Sequence, residues 1–143
     1  MIIYILVIAV VGLAAFIRLA PSDPARWHTD PGTIAATDCT QITTTGSSAR
    51  VTCLRSEDAI ALLTKLDTIA LATPRTTRLA GSAETGRITW LTRSSIMGFP
   101  DYTTAQTTSG PDGTRTDILA RQRFGESDMG VNAARLTNWM SQF

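Results

Sequence analysis

The stretch "TRTDILARQRFGESDMGVNAARLTNWM", Thr114 to Met140, changes its period midway, and that change decides the fold. In its first half Ile118, Ala120 and Phe124 alternate with Asp117, Arg121 and Arg123, the period-2 pattern of a strand with one buried face. Beyond Gly130 the apolar positions are Leu136, Trp139, Met140 and Phe143, spaced i, i+3, i+4 and i+7. That is the stripe of an amphipathic helix. The junction between them is "GESDMGVN", Gly125 to Asn132. Asn132 reads as the helix N-cap, with Val131 and Leu136 as a hydrophobic staple.

Upstream the same two periods recur. "DYTTAQTT" from Asp101 joins the last strand through the turn residues Ser109-Gly110-Pro111-Asp112-Gly113. "TTRLAGSAE" from Thr76 and "RITWLTRSSIMGF" from Arg87 join through Thr85-Gly86. Before them Ala59, Leu62, Leu63, Leu66, Ile69 and Ala70 form a second helical stripe. Ser56 reads as its N-cap, Glu57 and Asp58 suit the positive end of its dipole, and Pro74 stops it near Ala72. Arg50 to Leu54 is one further short strand. The order β-α-β-β-β-β-α predicts an α+β fold: an antiparallel sheet of four to five strands with both helices on one face.

The chain opens with a different texture. Ile2 to Ile17 is apolar without a break, and Arg18 can snorkel so that Leu19 and Ala20 extend the run. Pro21 after Arg18-Leu19-Ala20 opposes signal-peptide cleavage, so the reading is an uncleaved transmembrane anchor over residues 1–20. Residues 21–36, "PSDPARWHTDPGTIAA", hold three prolines and a glycine without a period, as a juxtamembrane linker does. Trp27 and His28 stand there at interfacial positions. Residues 37–143 are then one soluble domain.

Two signals for the side of the membrane conflict. Arg18 and Arg26 follow the apolar run and no basic residue precedes it, which favours a cytoplasmic domain by the positive-inside rule. Cys39 and Cys53, the only cysteines, bracket "TQITTTGSSARVT", a hairpin-like stretch with a Gly-Ser turn. Their spacing suits a disulfide across adjacent strands, which persists in an oxidising compartment, although two unrelated buried thiols fit the same spacing. The expected address is the bacterial inner membrane with a periplasmic domain.

Composition removes several classes of chemistry. A net charge of +1 leaves no electrostatic footprint for nucleic acid. Of thirteen basic residues only Lys65 is lysine. His28 is the sole histidine and lies in the linker, so the domain offers no imidazole base for a serine or cysteine nucleophile. A zinc site lacks ligands, and no phosphate-cradling glycine loop joins a strand to a helix. No catalytic residue, metal or cofactor is therefore expected. Asp101 and Asp128 remain as a carboxylate pair, with Arg93, Arg121 and Arg123 in range. Arg121 and Arg123 share a strand face that Arg93 can join, and such a cluster suits a carboxylate or phosphate. The alternative is a structural network in which Asp101, Asp117 and Asp128 neutralise the arginines.

"RSSIMGFPDY", Arg93 to Tyr102, resembles the "R-S-x-x-x-G-F-x-D" segment of a bacterial and plastid family, domain of unknown function 1499. "ARQRFGESDMGVNAARLTNWM" resembles that family's C-terminal signature through Arg121, Arg123, Gly125, Ser127, Asp128, Gly130, Val131, Asn132 and Arg135. The resemblance implies a membrane-attached domain and no particular activity. The family's early "C-P-x-S-P-N-C-V" segment is replaced by the widely spaced Cys39 and Cys53, and Tyr102 stands where a second aspartate is common. The expected role is a non-enzymatic accessory or scaffolding subunit, contacting membrane lipid and partner helices through the anchor. The alternative is a periplasmic module that binds a small anion or lipid headgroup through the arginine face; Arg93, Asp101, Arg121, Arg123, Ser127, Asp128 and Asn132 make up the candidate ligand site or structural network.

Overall fold

The computed structural model describes residues 1–143. An N-terminal helix α1 (Ile2–Leu19) and a single turn α2 (Pro24–Trp27) precede strands β1 (Thr43–Thr45) and β2 (Ser48–Arg55). Helix α3 (Ala59–Ala72) follows, then β3 (Thr76–Ser82), β4 (Arg87–Arg93), β5 (Pro100–Gly110), β6 (Gly113–Gln122) and helix α4 (Val131–Met140). The strands form one antiparallel sheet in the order β1-β2-β6-β5-β4-β3. The α+β class holds, and the sheet has six strands rather than four or five. The extra strand is β1, three exposed threonines with no alternation to betray it.

Both helices lie on one face, as their stripes require. Val51, Ile118, Ala120, Ala105, Ile88 and Trp90 point from the strands into a core completed by Leu62, Leu63 and Leu66 of α3 and Leu136 and Trp139 of α4. Trp90 and Trp139 meet edge to face, with centroids 5.5 Å apart. Each fully buried aliphatic side chain contributes about 1.5–3 kcal/mol, so this layer dominates stability. The polar handles within it are satisfied: the Trp90 indole donates to Asp67 (2.8 Å), which also pairs with Arg78. The Trp139 indole donates to Thr73 Oγ1 at 2.8 Å.

Helix starts differ from the expected ones. Asp58, not Ser56, caps α3, accepting from the amides of Ile60 and Ala61 at 3.0 and 3.1 Å. Helix α4 begins two residues early, at Val131, with Gly130 rather than Asn132 at the cap and in a left-handed conformation. Asn132 is therefore inside the helix and fully buried, while Val131 is half-exposed and forms no staple. Asp128 takes over the capping work, accepting from the Asn132 amide at 2.8 Å and the Gly130 amide at 3.0 Å.

The opposite face of the sheet is lined by threonine, arginine and tyrosine, and no helix covers it. Residues 21–31 do, as a strap. Trp27 stacks on Tyr102 with centroids 3.9 Å apart and planes 12° from parallel. His28 Nδ1 bonds Thr89 Oγ1 at 2.9 Å, Ser22 Oγ bonds the Tyr102 hydroxyl at 2.8 Å, and Pro31 O accepts from Arg50. The stretch that reads as a linker is thus packed on the domain, and Trp27 and His28 face the sheet. Gly81 permits this closeness: a Cβ there would lie 2.7 Å from His28 Cε1 and 2.0 Å from Arg87 O.

Cys39 and Cys53 are joined by a disulfide, Cα to Cα 4.8 Å, closing a separation of 14 residues. Loop-entropy reasoning gives such a bridge about 3 kcal/mol. Reduction by dithiothreitol should lower the unfolding free energy from chemical denaturation by that amount, and a Cys39→Ser/Cys53→Ser variant should match the reduced protein. An unchanged unfolding free energy after complete reduction would show that the bridge does not constrain the unfolded chain.

Candidate functional site

The residues of both family-like motifs gather at one end of the sheet, where β4 ends, β5 begins and β6 runs into the loop before α4. Helix α1 comes down onto this end. It is long and apolar enough to cross a membrane, and of its residues only Ile17 is buried. Arg18 Nη2 donates to Ile96 O at 2.7 Å, and Phe16 meets Phe124 edge to face at 6.3 Å. Gly98, at φ +72, is where the helix end touches down: a Cβ would lie 2.9 Å from Arg18 Cγ. The glycine of the first motif is therefore needed twice, for its backbone conformation and for this contact.

Between α1 and the domain lies a groove of about 600 Å³. Leu13, Phe16 and Ile17 of α1 form one wall; Phe99, Phe124, Met129 and Val131 form the other. At its polar end stand Asp101, Gln122, Ser127 and Asp128. Gln122 Nε2 is buried with no hydrogen-bond partner in the protein. Buried polar atoms are rarely left so, which marks this donor as available.

Asp101 is half of a buried pair. Arg135 Nη2 donates to its Oδ2 at 2.9 Å, and the two side chains are 14% and 9% exposed. Arg135 Nη1 also donates to Asn132 Oδ1 at 2.6 Å, and Asn132 Nδ2 donates to Ser47 O at 3.3 Å. Burial raises the Asp101 carboxyl above its ordinary range; Arg135 opposes that shift and nearby Asp128 adds to it. Asp101 and Asp128 thus do converge on one site, but Arg135 of α4, 34 residues from Asp101, neutralises it in place of Arg93, Arg121 or Arg123. Ser127 Oγ accepts from the Met129 amide at 3.2 Å and shapes the loop.

The arginine trio divides. Arg121 is on the strap face, donating to Trp27 O (2.7 Å) and Thr29 Oγ1 (3.0 Å), with its guanidinium 5.1 Å from the Trp27 ring centroid. Burial and the neighbouring Arg50 lower its pKa from the ordinary value. Arg123 donates to Pro21 O at 2.7 Å. Arg93 donates to Gly98 O at 3.0 Å. Asp101 and Asp128 lie beyond reach on the helix side, and Asp117 pairs with Arg115 and Thr52. Backbone carbonyls, not carboxylates, hold these arginines. Sequence reasoning passed over Arg135 as a partner, Gln122 and the walls of the groove; the first depends on α4 packing against β5 and the groove on α1 lying against the domain.

No group of three or more His, Cys, Asp or Glu side chains comes together to hold a metal ion. A model of the family described as "Protein of unknown function (DUF1499)" matches residues 19–143. No curated protein matches the chain. Among solved structures, protein Ms6760 from Mycobacterium smegmatis is similar over 71% of this chain and 93% of its own, at 12% identity and a TM-score of 0.35. A likeness at that level says nothing of function.

Two tests follow from this geometry. Asp101→Ala leaves Arg135 buried without its carboxylate and should cost about 3–5 kcal/mol by chemical denaturation, whereas Asp101→Leu/Arg135→Met should recover most of it. Equal stability of the single variant and the parent would remove the pair from the architecture. His28 supplies the second. Burial first, and the charge of Arg87 second, lower its pKa below the ordinary 6.5. Asp30, 3.9 Å from Arg87, is the nearby acid. A depressed base contributes stability that is present above the unfolded pKa and lost as pH falls through the folded one. The melting temperature of the parent should therefore fall more steeply than that of His28→Gln as pH drops from 7 to 5; parallel curves would show that protonation of His28 is not coupled to folding.

Proposed function

We propose that this chain, which belongs to the DUF1499 family, is a membrane-anchored, non-enzymatic module that binds an amphiphile in the groove between α1 and the sheet. One observation carries the reading: a groove with apolar walls and a polar end has one of its walls built from the last turns of an apolar helix. With α1 spanning the bilayer, Leu13 lies about 9 Å along the axis from Leu19, at 1.5 Å per residue, near the edge of the hydrocarbon layer. An acyl chain can then enter the groove from the bilayer without crossing water. Gln122 Nε2 and the Ser127 hydroxyl are placed to meet the polar part of such a molecule.

The bacterial inner membrane with a periplasmic domain is the address that fits best. The disulfide supports it, since such bridges persist in oxidising compartments.

A second reading keeps the accessory or scaffolding role in an inner-membrane complex. Its support is that α1 leaves nearly all of its surface unburied, including Gly12, which has nothing within 4 Å of its Cβ position. Small residues of this kind let a partner helix approach closely.

Ser127→Trp tests the groove, because it adds bulk to an exposed lining residue and removes no core contact. The full-length chain, purified in a mild maltoside detergent and offered palmitoyl-oleoyl phospholipid, should retain lipid in native mass spectrometry, and the variant should lose most of it. Equal retention by both proteins would defeat the groove as the binding site. Migration with partner proteins under the same detergent, with no lipid held, would favour the scaffolding role.

A further inference from the structure

A second cavity, of about 440 Å³, adjoins the groove and shares Ser94 with it. It is lined by Arg18, Arg75 and Arg93 together with Thr77, Ser94 and Ser95. Every lining side chain that carries charge is a cation. The four ion pairs of the protein, Arg78–Asp67, Arg87–Asp30, Arg115–Asp117 and Arg135–Asp101, involve none of these three arginines.

The guanidiniums are nevertheless held in place. Arg18 Nη2 donates to Ile96 O at 2.7 Å, Arg75 Nε to Arg93 O at 3.1 Å, and Arg93 Nη1 to Gly98 O at 3.0 Å. A guanidinium has five N–H donors, so each arginine keeps most of its donors for another partner. Positioned cations with spare paired donors suit the oxygens of a phosphate, and little side-chain ordering is left to lose on binding. Arg18 directly follows the apolar run of α1. If α1 spans the bilayer, as the groove reading holds, this cavity lies at the level of phospholipid headgroups.

We propose that Arg18, Arg75 and Arg93 form the phosphate site of an anionic phospholipid whose acyl chain occupies the adjoining groove. The inference rests on the groove reading and adds selectivity to it: the headgroup carries net negative charge, and Ser94 marks where head and tail meet. A zwitterionic lipid offers the same phosphate but brings its own cation into a pocket that has no carboxylate to receive it.

The experiment offers palmitoyl-oleoyl phosphatidylglycerol and palmitoyl-oleoyl phosphatidylcholine at equal concentration to the full-length chain in maltoside detergent. Retained lipid is counted by native mass spectrometry. The parent should prefer phosphatidylglycerol by at least about fivefold, the worth of one arginine near an anionic headgroup. Arg75→Gln/Arg93→Gln should abolish that preference, lowering retention of phosphatidylglycerol more than that of phosphatidylcholine. Because both arginines also bond backbone carbonyls, exposed Arg75→Gln alone and the salt dependence of the parent provide a second line. The preference should shrink in the single variant and shrink with added salt. Retention of neither lipid would overturn the groove reading and this site with it. Equal retention of the two by the parent would overturn the headgroup site and leave the groove standing. A preference that survives in the double variant would also overturn the site. Displacement of phosphatidylglycerol by millimolar inorganic phosphate, with the tail contributing nothing, would assign the pocket to a free anion instead.

Discussion

Arg121 is partly buried in the sheet without a carboxylate, and the way the chain satisfies it organises everything around it. The guanidinium lies over the ring of Trp27 and donates to that residue's carbonyl and to Thr29. Trp27 also stacks on Tyr102, the fully buried cross-strand neighbour of Arg121. A cation, an indole and a phenol form one packed unit on the face opposite α3 and α4. Aromatic stacking and a desolvated cation–π contact each contribute about 0.5–2 kcal/mol beyond the area they bury. That unit fixes residues 21–31 on the sheet.

Fixing the strap fixes the helix before it. Arg123 holds Pro21 O, Ser22 bonds the Tyr102 hydroxyl, and Ala20 is buried, so few residues of slack remain between the strap and α1. The end of α1 is thereby placed on Gly98 and against Phe124. The groove and the arginine cavity are consequences of that placement, lying where the helix end meets the rim of the sheet. The motif residues then divide by task. Arg121 and Arg123 tether the strap, Gly98 receives the helix, Asp128 caps α4, and Asp101, Asn132 and Arg135 brace the groove from behind.

How much of this could be read from the sequence depended on sequence distance. The strands from Thr76 onward and both domain helices follow from local periods, so their type was legible. β1 was legible only as the first arm of the hairpin-like stretch around Gly46-Ser47, because three exposed threonines carry no burial signal of their own. Helix starts shifted where two capping residues competed: Asp58 reaches two amides, and Asp128 caps α4 from outside, leaving Asn132 free to be buried. The strap was illegible for a different reason. Prolines and a glycine without a period read as a spacer, and the partners that order this one lie up to 102 residues away. A usable hint was present: Trp27 stands alone in a polar stretch, and the outer face of the last strand carries arginines with few acids beside them. Likewise Arg135 reaches Asp101 across 34 residues, a pairing that no spacing rule suggests.

The account turns on α1 being held against the domain rather than swinging free on a spacer. Phe16 and Phe124 report this contact directly, and the two native cysteines are already bridged. The decisive measurement is cross-linking of a Phe16→Cys/Phe124→Cys chain by a short bismaleimide in membranes or mild detergent, with Tyr4→Cys/Phe124→Cys as the control. A docked helix predicts rapid intramolecular cross-linking of the first pair and none of the second. Slow and equal cross-linking of both pairs would contradict it, and with it the groove and the arginine cavity.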